Sequence, residues 1–355
     1  MPDLIVAGAG MAGLVAAAQG RARGASVTVH EKGDRAGGSM LLSSGVIWRH
    51  RDFDRFRAEC PAGDEALQRT LFERLDSDLD WLESLGASPT DLQTGNPATV
   101  GLRFDTSELT AALLSAAGDE PRFHEPPRAL PDGVPVVLAT GGFQANRELV
   151  RQHITPEAGS LLLRAAPWSA GDGLRLGLDA GATVSDGLDE FYGRNMPAPP
   201  AAVGERDFVG LAQLYARHAT VTNARGEAFR PSTWSEIDVV QWTARQPGAL
   251  AWYTVPDEHL GERVRDRTVK DMIEAAERAG APVSRRDGEV VVGVVAGITT
   301  TLGGLRIDTR ARAAPGVFAC GTDAGGIVTG GYASGLAAAL VFGRIAADAA
   351  LGVEG

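Results

Sequence analysis

A chain of 355 residues, at roughly 150 residues per domain, is long enough for two cores or for one large domain carrying an insertion. Hydrophobic residues at 44% and charged residues at 22% are close to the globular average, which argues against a disordered or fibrous chain. The 34 cationic and 45 anionic side chains leave a formal charge of -11, which repels a phosphate backbone and argues against nucleic acid as a partner.

Leu4 to Ala7 is a short apolar run that ends in a glycine cluster, and Leu14, Val15 and Ala18 then recur at helical spacing before Gly24. The pattern predicts strand, tight turn and helix. From Ser26 to His30, Val27 and Val29 share one face, giving a second strand that closes at Glu31 and completes a βαβ unit. Leu67, Leu71, Leu75, Leu79, Leu82 and Leu85 form one helical stripe, with Asp64 as N-cap and Gly86 as stop. A helix from Glu108 to Ala117 precedes a proline-rich stretch, and Val134 to Ala139 reads as a buried strand running into Thr140, Gly141 and Gly142.

Between Asp186 and Gly288 the texture changes: Trp234, Trp242 and Trp252 cluster, and Pro197, Pro199 and Pro200 mark an entry loop. This segment reads as an inserted domain, with Tyr253 in the core of a strand from Leu250 to Val255. A strand at Val290 to Val295, a turn at Thr299 to Gly304, a strand at Val317 to Ala319, a glycine-rich run and an alanine-rich helix then return to the first domain. The expected division is 1–187 and 288–355 for the first domain and 188–287 for the insertion.

Cys60 and Cys320 stand alone, with no C-x-x-C and no partner at metal-ligand spacing, so neither disulfide chemistry nor a metal site is expected. Met1, Pro2 and Asp3 lead directly into the first strand, and Arg344 breaks the longest apolar run. A cytoplasmic location without a membrane span is the expectation.

Gly8, Gly10 and Gly13 form G-x-G-x-x-G between a strand and a helix, so backbone N–H groups can approach a pyrophosphate at the positive helix end. Glu31 closes the second strand, where an acid accepts hydrogen bonds from ribose hydroxyls. Gly321 lets backbone pass close to a ligand after a buried strand, and Asp323, two residues on, can accept from a hydroxyl of that ligand. These features together point to a dinucleotide.

Glu31, Lys32, Gly37, Gly38, Ser39 and then Ser43, Ser44, Gly45 resemble the E-K-x(4)-G-G-S and S-G-G stretch of FAD enzymes in the fumarate reductase and succinate dehydrogenase flavoprotein superfamily, which includes 3-ketosteroid dehydrogenases. Further matches follow in the family's order: W-L-E-S-L-G from Trp81, A-T-G-G-F from Ala139, G-D-G around Asp172, T-L-G-G-L-R-I-D from Thr301, P-G-V-F-A-C-G-T-D from Pro315, and the run from Gly331 to Ala346. The resemblance implies an α/β fold: a Rossmann-like FAD-binding domain with an inserted α+β capping domain, the substrate lying between flavin and cap. It adds Lys32, the 37–39 and 43–45 residues, Thr140, Gly141, Gly142, Asp172, Ser334, Gly335 and Leu336 to the cofactor contacts. A helix starting near Tyr332 would aim its N–H groups at the flavin N1 and C2 carbonyl, where reduced flavin is negative. No His or Cys stands in the stretch after Arg35 for covalent attachment, so non-covalent FAD is expected.

The chain also departs from that family. Thr300 stands where the H-T-x-G-G histidine binds a substrate carboxylate, and Ala324 to Leu336 holds none of the arginine of R-L-G-G-N. Each missing charge-assisted hydrogen bond is worth about 1.5–3 kcal/mol, which disfavours a dicarboxylate. Glu236 falls where the proton-delivering arginine would stand, and Thr329 occupies the ungapped position of the ketosteroid dehydrogenase tyrosine, with Tyr332 close by. The Asp119 to Gly133 connection is short for the family, so the chain reads as a trimmed member.

Tyr192 and Arg194, at the entry to the insertion, and Tyr332, before the last helix, are the catalytic candidates: a tyrosine moves a proton and an arginine polarises a carbonyl. Glu236 and Asp238 would share one face of a strand, or form a solvated acidic loop. The expected reaction is desaturation or reduction of a carbon–carbon bond next to a carbonyl, on a neutral or monocarboxylate small molecule. No second G-x-G-x-x-G follows a strand, so the electron partner is left open between oxygen, a quinone and a protein. The competing readings are an FAD oxidase or hydroxylase and a catalytically silent flavin-binding protein.

Overall fold

The computed structural model describes residues 1–94, 96–233 and 235–353; Trp234 of the tryptophan cluster lies outside the described residues. Two compact units are present, one built from Met1–Asn146, Ala166–Glu190 and Thr301–Gly355, the other from Arg147–Ala165 and Phe191–Thr300.

The first unit is organised by a five-stranded sheet in the order 312–314, 317–319, 136–138, 4–7, 27–30. Leu4–Ala7 runs parallel to Val27–His30 on one side and to Val136–Leu138 on the other, and Val317–Ala319 extends the parallel run. Arg312–Ala314 closes the edge in the antiparallel sense. Every residue of 136–138 and 317–319 is buried, as expected for parallel strands covered on both faces. The helix Met11–Ala22 completes the predicted βαβ unit and packs against the last helix, Gly335–Ala350. Their contact is close because small residues line it: a Cβ on Gly343 would sit 2.8 Å from the Ala12 carbonyl oxygen. A polar tie crosses the same contact, with Gln19 and Arg23 both donating to Asp348 at 2.8 Å.

The leucine stripe forms the helix Glu65–Ser84, with Asp64 accepting from the Leu67 amide at 3.0 Å as its N-cap. Leu67, Leu71, Leu75, Leu79 and Leu82 are buried, each worth about 1.5–3 kcal/mol of transfer free energy. The second amphipathic helix begins two residues earlier than its periodicity indicates, at Thr106, because Asp105 accepts from the Ser107 and Glu108 amides. A three-stranded antiparallel sheet, 46–50, 99–104 and 89–91, completes this unit.

The second unit is built on one long strand, Glu289–Thr301. Leu250–Pro256 and Val283–Arg286 pair with its first part antiparallel, and Leu162–Leu163 pairs parallel with Gly297 and Ile298. The turn expected from Thr299 is therefore displaced: pairing at Gly297 and Ile298 and the β-branched run through Thr301 keep the backbone extended. Tyr253 is fully buried in its strand, as its pattern predicts. Glu236 and Asp238 do not share a strand face; Ile237–Ala244 is a helix, and the two acids lie at its start in different surroundings. Among the described residues no helix is long and apolar enough to cross a membrane, and no cluster of His, Cys, Asp or Glu is arranged to hold a metal.

Candidate cofactor and active site

The three glycines after the first strand have separable physical reasons. Gly8 has φ +111, and a Cβ there would lie 2.1 Å from the Ala139 carbonyl oxygen; a Cβ on Gly13 would lie 1.8 Å from the Gly8 carbonyl oxygen. Those two permit close packing of turn, strand and helix. Gly10 has ordinary extended dihedrals, and a Cβ there would meet nothing within 4 Å. Open space thus lies over the turn where the first helix begins, and that helix start has no side-chain cap. Uncapped N–H groups facing a cradle that one methyl group would fill are what a pyrophosphate requires, so the residues present fit a dinucleotide.

The second glycine loop leans on this turn. The Gly37 amide donates to the Ala9 carbonyl at 2.8 Å, and Gly38 approaches the Cα of Gly10. Glu31 is 4% exposed, and its two carboxylate oxygens accept from the Ala9 and Gly33 amides, each at 2.6 Å. The acid therefore braces the turn through both oxygens, each of which keeps a lone pair for a hydroxyl donor. Ser39 accepts from the Ala166 amide at 3.0 Å. Ser43 donates to the Met40 carbonyl at 2.8 Å and accepts from Gly45 at 3.1 Å, while Ser44 is exposed.

Asp323 is held by the turn that follows the strand Val136–Leu138. It is 2% exposed; one oxygen accepts from the Thr140 amide at 2.5 Å, and the other accepts from the Thr140 hydroxyl at 3.1 Å and the Gly142 amide at 3.0 Å. Burial raises its pKa against those donors. Asp323 thus anchors the Thr140–Gly142 turn from beneath. Thr140 passes the link on, accepting from the Gly173 amide at 2.9 Å in the first turn of the helix Asp172–Asp179. Asp172 itself pairs with Lys32 at 2.7 Å, so two residues read as separate contacts form one half-exposed ion pair. Gly321 fits against the first helix, where a Cβ would lie 2.8 Å from that of Ala12.

The last helix begins at Gly335, three residues later than expected at Tyr332, because Ser334 caps it by accepting from the Ala337 amide at 3.3 Å. The Ser334 hydroxyl also donates to the Val46 carbonyl at 3.3 Å, which brings the head of this helix to the strand after Gly45. Leu336 follows in the first turn. The Tyr332 hydroxyl accepts from the Gly335 amide at 3.4 Å, so the phenol sits over the helix start. Its ring stands edge-on to Trp48 at 6.0 Å, and Trp48 in turn touches His50 at 5.4 Å. His50 was not singled out by sequence reasoning; it is buried, and burial with the nearby Arg55 lowers its pKa to about 4, so it is neutral.

Tyr192 and Arg194 belong to the second unit, on the strand Phe191–Pro197. The Arg194 guanidinium carbon lies 5.0 Å from the Tyr192 ring centroid, and its Nη1 donates to the Ser235 carbonyl. Burial pushes the Tyr192 phenol up, but Arg194, Arg265 and Arg164 outweigh it and hold the phenol below its ordinary value. Arg164 is fixed by the Thr299 hydroxyl and the Phe208 carbonyl, both at 2.8 Å.

Sequence reasoning left Glu236 off the site, and the structure places it beside this group. It is 5% exposed, has φ +56, and accepts from the Ala216 amide at 3.0 Å. Burial raises its pKa to about 7, against Arg194, the Ala216 amide, Arg217 and Arg265. Asp238 is lowered instead, because the donors of Ser232 and Thr233 outweigh its burial. The advance signals for Glu236 were an acid where the family has an arginine and its spacing of two from Asp238.

The chain matches the family described as FAD binding domain over residues 3–126 and 132–336. A probable fumarate reductase from Shewanella frigidimarina, Ifc3, is 25% identical, the match covering 98% of this chain and 74% of that protein. Among solved structures, the open conformation of a flavocytochrome c3 fumarate reductase superimposes with a TM-score of 0.73 at 22% identity, covering 99% of this chain and 78% of that one. The 3-ketosteroid Δ4-(5α)-dehydrogenase of Rhodococcus jostii RHA1 gives 0.71 at 20% identity over 99% and 96% of the two chains. The 3-ketosteroid Δ1-dehydrogenase of Sterolibacterium denitrificans gives 0.72 at 16% identity over 99% of each.

Proposed function

From the premise that this chain belongs to the FAD binding domain family, with FAD as its cofactor, and is an FAD-dependent oxidoreductase, we propose that it reduces or desaturates a carbon–carbon bond next to a carbonyl. The observation that carries this reading is the Tyr192 phenol, held below its ordinary pKa by three arginines. A phenol so placed gives up its proton more readily than an ordinary tyrosine, and general acid–base groups of this kind contribute about 10²–10⁴ in rate. Arg194 polarises the carbonyl oxygen, which makes the neighbouring carbon–hydrogen bond acidic or the conjugated double bond electrophilic. Tyr332, over the start of the last helix, is the catalytic candidate of the first unit.

FAD, when bound, supplies the hydride acceptor or donor. The first unit is a Rossmann-like domain for it: the N–H groups of the first helix take the pyrophosphate, and Glu31 takes a ribose while bracing the turn. The amides of Ser334 and Leu336, at the head of the last helix, would stabilise the negative charge of the reduced cofactor. The loop between Arg35 and Gly45 has no His or Cys, which supports non-covalent attachment. Asp323 anchors the 140–142 turn, as Glu31 braces the first one, and would accept from a ribityl hydroxyl as well. The second unit is the inserted α+β capping domain and supplies the proton-carrying side chains.

The substrate is a neutral enone or ketone, or a monocarboxylate, in preference to a dicarboxylate. Thr300 in place of the family histidine and the lack of arginine from Ala324 to Leu336 support this. The test is anaerobic: the reduced flavoprotein is mixed in turn with enones, monocarboxylates and fumarate, and the oxidised flavin spectrum is followed. Reoxidation by enones, lost in Tyr192→Phe, is expected; reoxidation by fumarate at a comparable rate overturns the substrate assignment.

A further inference from the structure

Glu236 is costly to keep as it is. A non-glycine residue in the left-handed region and a carboxyl with 5% exposure each oppose folding. The side chain does not cap its own helix; it turns instead to the Ala216 amide. The preceding residue, Ser235, receives the Arg194 guanidinium, whose other side is on the Tyr192 ring. Arg194 is therefore shared between the phenol and the peptide that carries Glu236.

We propose that Glu236 is a positioning residue that acts through Arg194 on the Tyr192 phenol. With Glu236 neutral, the field of Arg194 falls in full on the phenol and favours release of its proton; with Glu236 ionised, part of that field is cancelled and the phenol holds its proton more tightly. The groups that face Glu236 are Arg194 on its strand, Arg217 beside the Ala216 amide, Arg265, and the phenols of Tyr215 and Tyr253. The two tyrosines do not share the role of Tyr192. Both are fully buried, Tyr215 donates to Gln213 at 2.9 Å, Tyr253 accepts from Asn195 at 2.8 Å, and both are raised above the ordinary phenol range. The carboxyl thus couples its own protonation to proton release by Tyr192. This rests on the reading of Tyr192 as the proton-carrying group.

The test follows phenol ionisation directly, in the FAD-loaded protein carrying tyrosine labelled with carbon-13 at Cζ. The chain has four tyrosines, and Tyr192→Phe identifies the signal of Tyr192. Its signal should titrate lowest and carry a second, smaller inflection near pH 7 in the unaltered protein. Glu236→Gln should move the Tyr192 midpoint down by about one pH unit and abolish that inflection, whereas Glu236→Asp should restore both. A Tyr192 signal without the inflection in the unaltered protein, or an unmoved midpoint in Glu236→Gln, overturns the proposal. If Tyr192→Phe turns over normally while the coupling is seen, the proton role of Tyr192 fails and the coupling stands. The reverse pair of results overturns the coupling alone.

Discussion

Replacing Gly10 and Gly13 separately by alanine tests whether one glycine of the cluster serves the ligand and another serves packing. At Gly10 the new methyl group meets nothing within 4 Å, and the dihedrals, φ -76 and ψ -174, suit alanine. The protein without cofactor should lose no stability and gain about 0.4–1 kcal/mol from a less flexible unfolded chain. The methyl group occupies the cradle, however, and loss of one charge-assisted hydrogen bond at about 1.5–3 kcal/mol weakens FAD binding about ten- to a hundredfold. At Gly13 the same methyl group falls 1.8 Å from the Gly8 carbonyl oxygen, a backbone atom that cannot swing away. The helix must move off the turn, and overpacking of that kind costs about 1–3 kcal/mol or more. Chemical denaturation of both variants without cofactor, beside titration with FAD followed by flavin fluorescence quenching, separates the two effects. A Gly10→Ala protein that binds FAD as the parent does would refute the assignment of the open cradle to the pyrophosphate.

The remaining expectations concern charge. Glu236 has a folded pKa of about 7, raised from 4.5, so the folded state binds its proton more tightly than the unfolded chain. Its contribution is present below about pH 4.5 and lost as pH rises to about 7, a fall of roughly 3 kcal/mol; Glu236→Gln should flatten the stability profile over that window. Arg344→Ala leaves Asp78, 1% exposed and bonded to that arginine, with Arg74 as its remaining cation; unfolding free energy should drop by about 3–5 kcal/mol, with much recovered in Arg344→Met with Asp78→Leu. Lys32→Ala breaks a half-exposed pair with Asp172 and should change stability by less than about 1 kcal/mol; a larger drop in denaturation midpoint would show that the pair is more than a surface contact. Asp323→Ala strips the partners from the Thr140 and Gly142 amides and should both lower stability by about 2 kcal/mol or more and reduce FAD content of the purified protein.

Local rules carried the reading of the first unit a long way. The βαβ opening and the leucine helix with its Asp64 cap, and in the second unit the core position of Tyr253, follow from periodicity and capping chemistry, which act over a few residues. What the chain could not disclose depends on partners far away. Leu162 and Leu163 join the second unit because they pair with Gly297 and Ile298, and nothing near them in sequence marks that. The same distance hid the role of Asp323, whose donors lie about 180 residues earlier, and the pairing of Lys32 with Asp172. Glu236 was hidden for another reason: a left-handed backbone at a non-glycine residue is imposed by its surroundings and leaves no trace in composition.

The five-stranded sheet also sets an order of events during synthesis. Its middle strand, Val136–Leu138, has Val317–Ala319 as one neighbour, and the turn beyond it is anchored by Asp323. A ribosome that has reached residue 300 has delivered every segment of the second unit, yet the first unit still lacks two strands of its sheet, the Asp323 anchor and the helix Gly335–Ala350. The inserted unit can thus fold before the domain that opens the chain, reversing the usual N-terminal-first order. Until the last fifty or so residues emerge, the glycine turn has no anchored partner to hold a cofactor with. Cofactor capture is in this way a late event that marks the completed sheet, and a nascent chain that stalls before Val317 is left with exposed apolar strand faces for chaperones to shield.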